Sequence, residues 1–422
     1  MKNEKQHIPT GYKPSPLGII PEDWEVKRLG DLCENKGDYG LNAPATDYSV
    51  NLPTYLRITD IDDNGNFIHS AKKSVDNLSA KEYYLKDGDI VFARTGATVG
   101  KTYLYDVRDG QLVYAGFLIK FSPNPNKLIP YYLKAHTETK DYTNWVAITS
   151  QRSGQPGINA AEYCSLKLAI PPIEEQERIC NVLQLWDTAI SKQAQLVEKL
   201  TLRKRGLMQQ LLTGKKRLKG FEGEWKGVRL GEMGVFFKGG GVPKDKITNT
   251  GNKCLTYGDL YTKYDFVISD VKSYIDDNTA NESVKIQYGD ICFAGSGETK
   301  EDIGKCAAFI DNEYGYAGGD IIVFRANDCN PITLSYILNS SDVIRQKSNM
   351  GQGHSVVHIY PYQLEKLRFK LPPKVEQDTI ASILMDADKE IELAEEKLAN
   401  LQSQKRGLMQ QLLTGKKRIN KN

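Results

Sequence analysis

Apolar residues recur at alternating spacings of four and three along two long stretches of the chain. In the first stretch Gln193 and Lys204 fill the two gaps in the series Ile179, Leu183, Trp186, Ile190, Val197, Leu200, Leu207 and Leu211. The second series is Ile380, Leu384, Ala387, Ile391, Ala394, Leu398, Leu401, Lys405, Leu408 and Leu412. A seam kept over more than four heptads predicts two long helices, each with one stripe to bury.

The ends of both helices are marked by proline and glycine. Prolines at 171–172 and 372–373 precede the seams, and Gly214 and Gly415 follow them as natural C-terminal caps. Each helix is then about 40 residues, or roughly 60 Å, long. The two seams can bury each other in either orientation. We favour an antiparallel pair, which would put one globular part at each end, related by a pseudo-two-fold axis. The alternative is that each helix packs only on its own globular part.

The rest of the chain alternates short apolar runs with turns. GDIVFA at 88–93, LVYAGFLIKF at 112–121 and DIIVFRA at 320–326 are typical of strands. Helical stretches lie between them, for example around IPYYLKAHTETKDY. The pattern therefore predicts a mixed α/β globule of the α+β class before each long helix.

The chain is similar to itself at a fixed shift of 201 residues. KRGLMQQLLTGKKR at 204–217 recurs at 405–418, identical in all 14 positions. The same shift aligns IPPIEEQERI with LPPKVEQDTI, DWEVKRLGDL with EWKGVRLGEM, and GDIVFA with GDICFA. This indicates a tandem duplication of one unit of about 200 residues. We expect globular domains at 1–172 and 219–373, and helical segments at 173–218 and 374–422.

The two copies have diverged unevenly, since the helix ends are nearly identical and the globular parts are not. Identical ends indicate that they meet the same environment twice, such as two copies of one partner, whereas the globules meet different ligands. Residues 201–220 also carry seven basic residues and no acid. Such a run fits an acidic or phosphate partner, or equally a solvated helix end whose dipole favours cations.

Composition limits the class of protein. The 422 residues are 40% hydrophobic and 26% charged, as in ordinary globular proteins, and the net charge of +3 requires any basic surface to be local. Seven dispersed cysteines form no zinc knuckle or CxxC pair and fit reduced thiols in a cytosol. Without an apolar leader or a membrane-length apolar run, we expect a cytoplasmic protein.

Some stretches resemble catalytic or metal-binding motifs, but each lacks a feature that the motif requires. RTGATVGKT at 94–102 resembles a P-loop, yet Thr95 stands where a glycine or alanine belongs and a strand is predicted to follow. His354 and His358 are four residues apart in a predicted strand or loop, where such a pair does not converge on a metal. No Ser-His-Asp, Cys-His or paired-carboxylate grouping is visible. We therefore expect a chain that binds, with no catalytic residue, metal or cofactor of its own.

The repeated motifs carry a family resemblance. GYKPSPLGIIPEDWEVKRLGD at the start, PPIEEQERI opening a long helix and KRGLMQQLLTGKKR closing it, all in two copies, resemble the specificity (S) subunit of type I restriction–modification systems. The resemblance spans the whole chain. It implies two target recognition domains, each reading one half of a bipartite double-stranded DNA site. It also implies that the long helices pair as an antiparallel coiled coil, which spaces the domains.

The partners and cofactors follow from the same resemblance. It implies two modification (M) subunits docked on the chain for adenine methylation, and restriction (R) subunits joining later for cleavage. The family's S subunits have no catalytic centre. Adenosylmethionine, ATP and Mg are accordingly expected on the partner subunits.

Candidate contact residues lie in polar, glycine-broken segments between strands. The DNA-contact candidates are Arg94, Thr95, Lys101, Gln151, Arg152 and Gln155 in the first globule, and Ser296, Glu298, Lys300, Gln352 and His354 in the second. The M-docking candidates are Met208, Gln209, Gln210 and Lys215, with Met409, Gln410, Gln411 and Lys416. Leu207 and Leu408 are expected to stay in the seams.

Two other functions fit parts of the pattern. An enzyme built on the incomplete P-loop would bind nucleotide through Lys101. A two-headed coiled-coil adaptor for proteins would share the architecture but would show no salt-dependent affinity for DNA.

Overall fold

The computed structural model describes residues 8–353 and 356–419, which form two compact units. Unit 1 comprises the chain up to Gln193 together with the chain from Lys397 onward, and unit 2 is Ala194–Glu396. Each unit therefore joins one globular part to the first portion of the helix that follows it and the last portion of the other long helix. The four-segment division expected from the sequence stays a prediction.

Helices make up a large share of both units. Unit 1 contains α1 (Leu29–Leu32), α2 (Pro130–His136), α3 (Lys140–Thr149) and α4 (Ala160–Cys164). The two long helices are α5 (Ile173–Leu211) and α11 (Lys374–Leu412). Unit 2 contains α6 (Tyr257–Thr262), α7 (Asp277–Asn281), α8 (Pro331–Leu338), α9 (Ser341–Met350) and α10 (Pro361–Leu364). Short 3-10 helices lie at Ile58–Asp60, His69–Ala71, Leu78–Tyr83, Gly96–Thr98, Val107–Asp109, Leu230–Glu232 and Lys244–Lys246.

The strands of unit 1 form small sheets. They are β1 (Tyr12–Ser15), β2 (Gly18–Pro21), β3 (Glu25–Arg28), β4 (Asp38–Tyr39), β5 (Thr46–Asp47), β6 (Thr54–Leu56), β7 (Lys73–Ser74), β8 (Ile90–Ala93), β9 (Thr102–Leu104), β10 (Leu112–Tyr114), β11 (Leu118–Phe121) and β12 (Lys167–Ile170). Two four-stranded sheets, ordered β10-β6-β7-β5 and β4-β11-β8-β9, form the body. The pairs β1-β2 and β12-β3 complete the unit.

Unit 2 repeats this plan with longer strands. They are β13 (Lys226–Arg229), β14 (Gly234–Lys238), β15 (Asn252–Leu255), β16 (Val267–Ile268), β17 (Tyr274–Ile275), β18 (Val284–Ile286), β19 (Asp290–Ala294), β20 (Ser296–Gly297), β21 (Cys306–Phe309), β22 (Gly315–Ala317), β23 (Ile321–Ala326), β24 (Val357–His358) and β25 (Arg368–Leu371). The sheets are ordered β14-β23-β19-β21-β16 and β17-β15-β22-β18, with pairs β13-β25 and β20-β24. The expected α+β class with a repeated globular part and two long helices is confirmed.

The repeat is reproduced in backbone register. β3 pairs antiparallel with β12 through Arg28 and Lys167, and β13 pairs with β25 through Arg229 and Arg368, each position shifted by 201 residues. The buried central strands β8 and β19 each follow a glycine of positive φ, at +84° for Gly88 and +95° for Gly289. Glycine adopts this conformation without the steric penalty of a side chain, so the repeated Gly-Asp turn has a local cause.

The predicted seams of both long helices are buried or half-buried along their whole length, and flanking positions are mostly exposed. Within unit 1 the end of α11 runs antiparallel to the start of α5, because Lys405 pairs with Asp187 and Arg418 with Glu175. Within unit 2, Lys204 likewise pairs with Asp388 and Arg217 with Glu376. The heptad prediction is confirmed, and in each unit the helix portions are antiparallel.

The glutamine of each PPxxEQ motif attaches its helix to the neighbouring globular part. The Gln176 carboxamide accepts a hydrogen bond from Ile129 N at 3.0 Å and donates to Lys127 O and Pro171 O. Gln377 accepts from Asn330 N at 2.8 Å and donates to Pro372 O. Both side chains are buried, so the motif encodes an internal contact that is present in both copies.

The long helices also contribute to the hydrophobic cores. In unit 1, Ile179 and Leu183 pack with Trp24 and with Leu412 and Leu413 of the other helix end. In unit 2, Leu211 and Leu212 pack with Trp225, Ile380 and Leu384. None of the helices in the described part of the chain combines the length and the apolar character that a membrane span requires.

Candidate functional site

Two loops of unit 1 that carry predicted DNA-contact residues lie side by side. Gly96 N donates to Pro156 O and Ile158 N donates to Arg94 O, both at 2.9 Å, so the segments 94–96 and 156–158 are joined through their backbones. The Gln155 carboxamide covers Gly96, where any Cβ would lie 2.8 Å from Gln155 Nε2. The structure thus brings Arg94, Thr95 and Gln155 together.

Arg94 has an aromatic neighbour that sequence reasoning missed. Its guanidinium carbon lies 4.8 Å from the ring centroid of Tyr39, in a cation–π arrangement. Tyr39 is in β4 at the edge of the sheet, and its hydroxyl accepts a hydrogen bond from Ala160 N at 3.2 Å. Only the strand order β4-β11-β8 brings Tyr39 near Arg94, and no local pattern in the sequence could have indicated it.

The other candidates of unit 1 are placed differently. Gln151 and Arg152 are exposed at the end of α3, and the Arg152 guanidinium bonds both Glu162 oxygens, at 2.6 and 2.7 Å. Lys101 lies at the far end of the first loop, with Nζ 2.6 Å from Asp63 Oδ1. The pKa of the Asp63 carboxyl is lowered because Lys101 hydrogen-bonds it.

The structure gives the incomplete P-loop no phosphate-binding context. After β8 the chain forms the 3-10 turn Gly96–Thr98 and then enters β9 at Thr102. A P-loop needs a helix directly after its lysine, so that backbone N–H groups and the helix N-terminus face the phosphates. Strand β9 at this position confirms the predicted strand and removes the structural basis for a nucleotide site.

Unit 2 has an equivalent loop pair with different side chains. Ser296 pairs with His358 between β20 and β24, the positions that Thr95 and Gly157 occupy in unit 1. Ser296 Oγ lies 2.9 Å from His358 Nδ1, and Gln352 exchanges two backbone hydrogen bonds with His358. His358, which is not among the predicted DNA-contact residues, therefore joins the segment of Ser296 to that of Gln352.

The remaining candidates of unit 2 are Glu298, Lys300 and His354. Glu298 and Lys300 are exposed in the turn after β20, whereas Ser296 is 4% exposed and offers little surface. His354 lies outside the described residues.

Tyr360 and Tyr362, which were not predicted, stack with their rings 5.9 Å apart beside this loop pair. Unit 1 has Asn159 and Ala161 at the corresponding positions.

The two identical segments 204–217 and 405–418, here called the tails, are each bound through an Arg–Glu–Trp triad. In unit 1, Arg418 bonds both Glu175 oxygens at 2.6 and 2.7 Å, and Trp24 Nε1 donates to the same carboxylate at 3.1 Å. In unit 2, Arg217, Glu376 and Trp225 repeat the arrangement at 2.8, 2.8 and 3.1 Å. Both glutamates are buried, so the arginines neutralise charges that would otherwise be costly.

A lysine in each tail is buried in an equivalent position. Lys405 lies 2.6 Å from Asp187 and 3.2 Å from Glu138, and Lys204 pairs with Asp388 while lying 4.5 Å from the Phe266 ring centroid. Burial lowers the pKa of Lys405, but Glu138 and Asp187 outweigh it and the pKa is raised. The Arg–Glu–Trp triad and the buried, acid-paired lysine therefore recur in both tails, which accounts for part of their identity without a partner.

Comparison with known families fits these repeated features. The family model described as the type I restriction modification DNA specificity domain matches residues 21–201 and 222–403. The chain belongs to this family. As a specificity subunit of a type I restriction–modification system, it carries the domain twice.

Curated relatives cover nearly the whole specificity subunit. The putative type I restriction enzyme MjaX specificity subunit of Methanocaldococcus jannaschii is 27% identical over 432 residues, covering 97% of this chain and 97% of the relative. The MjaVIII specificity subunit of the same organism is 23% identical over 415 residues, covering 95% and 94%. The chain is thus similar to these subunits from end to end.

Solved structures share the fold. One chain, from work described as the structural basis of complex assembly and conformational transition of the type I R-M system, has a TM-score of 0.57 at 18% identity, covering 94% of this chain and 99% of that one. The S subunit from M. genitalium has a TM-score of 0.56 at 13% identity, covering 92% and 96%.

The predicted docking residues of this specificity subunit divide by exposure. Gln209, Gln210, Lys215, Gln411 and Lys416 are exposed. Gln410 is half-buried with Nε2 3.4 Å from Asp141, and Met208, Leu207 and Leu408 pack partly against the cores. Met409 is 2% exposed inside the unit 1 core, so its side chain offers no surface to a partner. The expected place of Leu207 and Leu408 in the seams agrees with this packing.

The described part of this specificity subunit contains no group of three or more His, Cys, Asp or Glu side chains that could hold a metal ion. All seven cysteines are free thiols. Burial raises the pKa of Cys33, Cys180 and Cys254 to about 12. These three thiols are therefore protonated near neutral pH, and the nucleophilic thiolate form is suppressed.

Proposed function

We propose that this chain is the DNA-recognition subunit whose units 1 and 2 each read one half of an asymmetric, bipartite double-stranded site. The observation that carries the proposal is the pair of equivalent loop contacts, Thr95 with Gly157 and Ser296 with His358. The backbone arrangement is the same in both units, but the side chains around it differ. Two similar backbone arrangements that carry different side chains fit two different half-sites.

Reading a base requires hydrogen-bonding groups that reach its edge in a groove. Arginine donates two hydrogen bonds to guanine, and glutamine pairs with adenine in the same bidentate way. Unit 1 offers Arg94 and Gln155 on its loop pair, with Gln151 and Arg152 exposed after α3, and unit 2 offers Gln352, Glu298 and Lys300. Basic side chains on phosphates fix the register without reading sequence.

The long helices are proposed to set the number of unread base pairs between the half-sites. Each contributes residues to both units, since the unit boundaries fall within α5 at Gln193 and within α11 at Glu396. Half-sites on one face of DNA lie about 34–36 Å apart per helical turn. A change in helix length should therefore change the spacer of the recognised site.

The exposed faces of the tails are proposed to bind two M subunits, one for each copy of the identical segment. Gln209, Gln210 and Lys215, with Gln411 and Lys416, supply exposed polar groups. Adenine methylation, and cleavage once R subunits join, are then carried out on the partners. Adenosylmethionine, ATP and Mg are proposed to bind those partners, and this chain to be non-catalytic.

The decisive experiment compares methylated adenines across the genome of cells with and without this gene. We expect a methylated motif with two unequal halves separated by unread bases, which disappears on deletion. A motif that is unaffected by deletion, or a single uninterrupted motif, would contradict the proposal. A gel shift of the chain with its M subunit, repeated at rising salt, separates it from a protein adaptor.

A further inference from the structure

Arg94 is held at both its backbone and its side chain. Its N–H donates to Phe117 O at 3.0 Å, and its carbonyl accepts from Ile158 N at 2.9 Å. Its guanidinium lies over the Tyr39 ring at 4.8 Å. The side chain is half-buried, and 43% of Tyr39 remains exposed. Stacking immobilises the guanidinium plane but leaves its N–H groups free to donate.

No carboxylate bonds Arg94 among the residues that the structure describes, although two acids lie on neighbouring segments. Asp38, next to Tyr39, accepts from Asn35 Nδ2 at 2.9 Å and lies 3.5 Å from Lys120 Nζ. Glu162 is occupied by Arg152 and by the backbone N–H of Asn159. Arg57, Arg108, Arg152 and Arg418 in the same unit all pair with acids. Arg94 differs from these because an aromatic ring, and not an anion, fixes it.

The Tyr39 ring is itself anchored at two points. Its backbone lies in the β4–β11 pair opposite Ile119, and its hydroxyl accepts from Ala160 N at the start of α4. The ring therefore forms a fixed platform between the sheet and α4. A side chain resting on it loses little further conformational entropy when it binds a ligand, which favours affinity and selectivity.

We propose that Tyr39 is the positioning residue that holds the Arg94 guanidinium for bidentate hydrogen bonding to guanine in the half-site read by unit 1. The inference rests on the proposed function. Guanine is the base that fits, because its O6 and N7 acceptors match two parallel N–H groups. A phosphate would also accept from arginine, but it would not require a fixed ring plane and would carry no base preference.

The pairing belongs to unit 1 alone. In the strand register Tyr39 lies opposite Ile119, and its counterpart in unit 2 is Lys238, opposite Ile322. Gly295 stands for Arg94. Lys238 has no aromatic ring and Gly295 has no side chain, so the stacked arginine has no equivalent at these positions. Unit 2 must therefore read its half-site with other residues, and the guanine contact distinguishes one half of the recognised site from the other.

The test uses the full chain in complex with its M subunits, with affinity measured on duplexes that contain the site mapped from methylation. Each guanine of the site is replaced in turn by 7-deazaguanine, which lacks the N7 acceptor. We expect one guanine, in one half-site, whose replacement weakens wild-type binding about tenfold. Tyr39→Ala and Arg94→Lys should make binding insensitive to that replacement, whereas Tyr39→Phe, which keeps the ring, should retain most of the sensitivity.

Matched controls are available in the same unit. Tyr48 is 49% exposed with Lys72 above its ring, and Arg108 is an exposed arginine paired with Asp106. Tyr48→Ala and Arg108→Lys should leave the profile unchanged. If wild type is sensitive but Arg94→Lys and Tyr39→Ala keep its profile, the inference is wrong and the proposed function stands. If the wild-type complex tolerates every replacement, the inference is likewise wrong. If it binds the mapped site no better than an unrelated duplex, the proposed function itself fails.

Discussion

The Arg418 guanidinium and the Glu175 carboxylate form two parallel hydrogen bonds, Nε to Oε1 at 2.6 Å and Nη2 to Oε2 at 2.7 Å. Glu175 begins one long helix and Arg418 follows the other. Arg217 and Glu376 repeat the pair in unit 2. In each unit, therefore, a glutamate at the start of one long helix is bonded by an arginine that follows the end of the other long helix.

Removal of this arginine should destabilise unit 1. Arg418→Ala leaves Glu175, which is 2% exposed, without its counter-charge. Loss of one partner of a buried pair costs about 3–5 kcal/mol, and partial exposure of Arg418 lowers the expected loss to about 2–4 kcal/mol. Denaturant unfolding of the full chain measures this. Arg406→Ala, at an exposed arginine of the same tail, is the control, and equal losses for both variants would refute the role of the pair.

A second contact of Arg418, with Asp23, should make stability depend on acid pH. Arg418 hydrogen-bonds Asp23 and holds the pKa of that carboxyl below its ordinary value of 3.8. A lowered folded-state pKa contributes stability that is complete above the unfolded value and is lost as the pH falls through the folded value. We expect unfolding midpoints of wild type to fall more steeply below about pH 4 than those of Asp23→Asn. Parallel curves for the two proteins would contradict this.

The buried glutamine of the first PPxxEQ motif should be equally important for stability. Gln176→Ala leaves Ile129 N, Lys127 O and Pro171 O without their partner. Unsatisfied buried polar groups cost about 1–3 kcal/mol each, so we expect a loss of about 2–4 kcal/mol after local relaxation. Gln184→Ala, at an exposed position of the same helix, should change thermal unfolding little. A similar effect of both variants would show that the carboxamide contacts are dispensable.

The docking proposal predicts a stepwise change in stoichiometry. Gln210→Glu with Lys215→Glu alters one tail, and Gln411→Glu with Lys416→Glu alters the other at equivalent positions. The added negative charge should remove one M subunit in each double variant and both in the combined one, as counted by native mass spectrometry. Lys199→Glu, at an exposed lysine of α5, is the control. Two retained M subunits in the combined variant would refute the assignment.

The two identical segments show that a shared sequence does not fix the burial of a side chain. Met208 and Met409 have the same neighbours along the chain, yet Met208 is half-buried and Met409 is in the unit 1 core. Burial depends on what packs against the helix, and the two globular parts differ in sequence. Docking candidates chosen from the repeat alone therefore included a side chain that is enclosed.

The amino-acid sequence alone was sufficient to predict the duplication, the two long helices, their buried seams and the strand after the incomplete P-loop. These follow from spacing along the chain, because helix and strand geometry place residues at fixed intervals on one face. The three-dimensional fold was needed to show that Tyr39 supports Arg94, that His358 joins Ser296 to Gln352, and that Arg418 neutralises Glu175. Those partners are distant in sequence, and the order of strands and the antiparallel course of the helices in each unit bring them together.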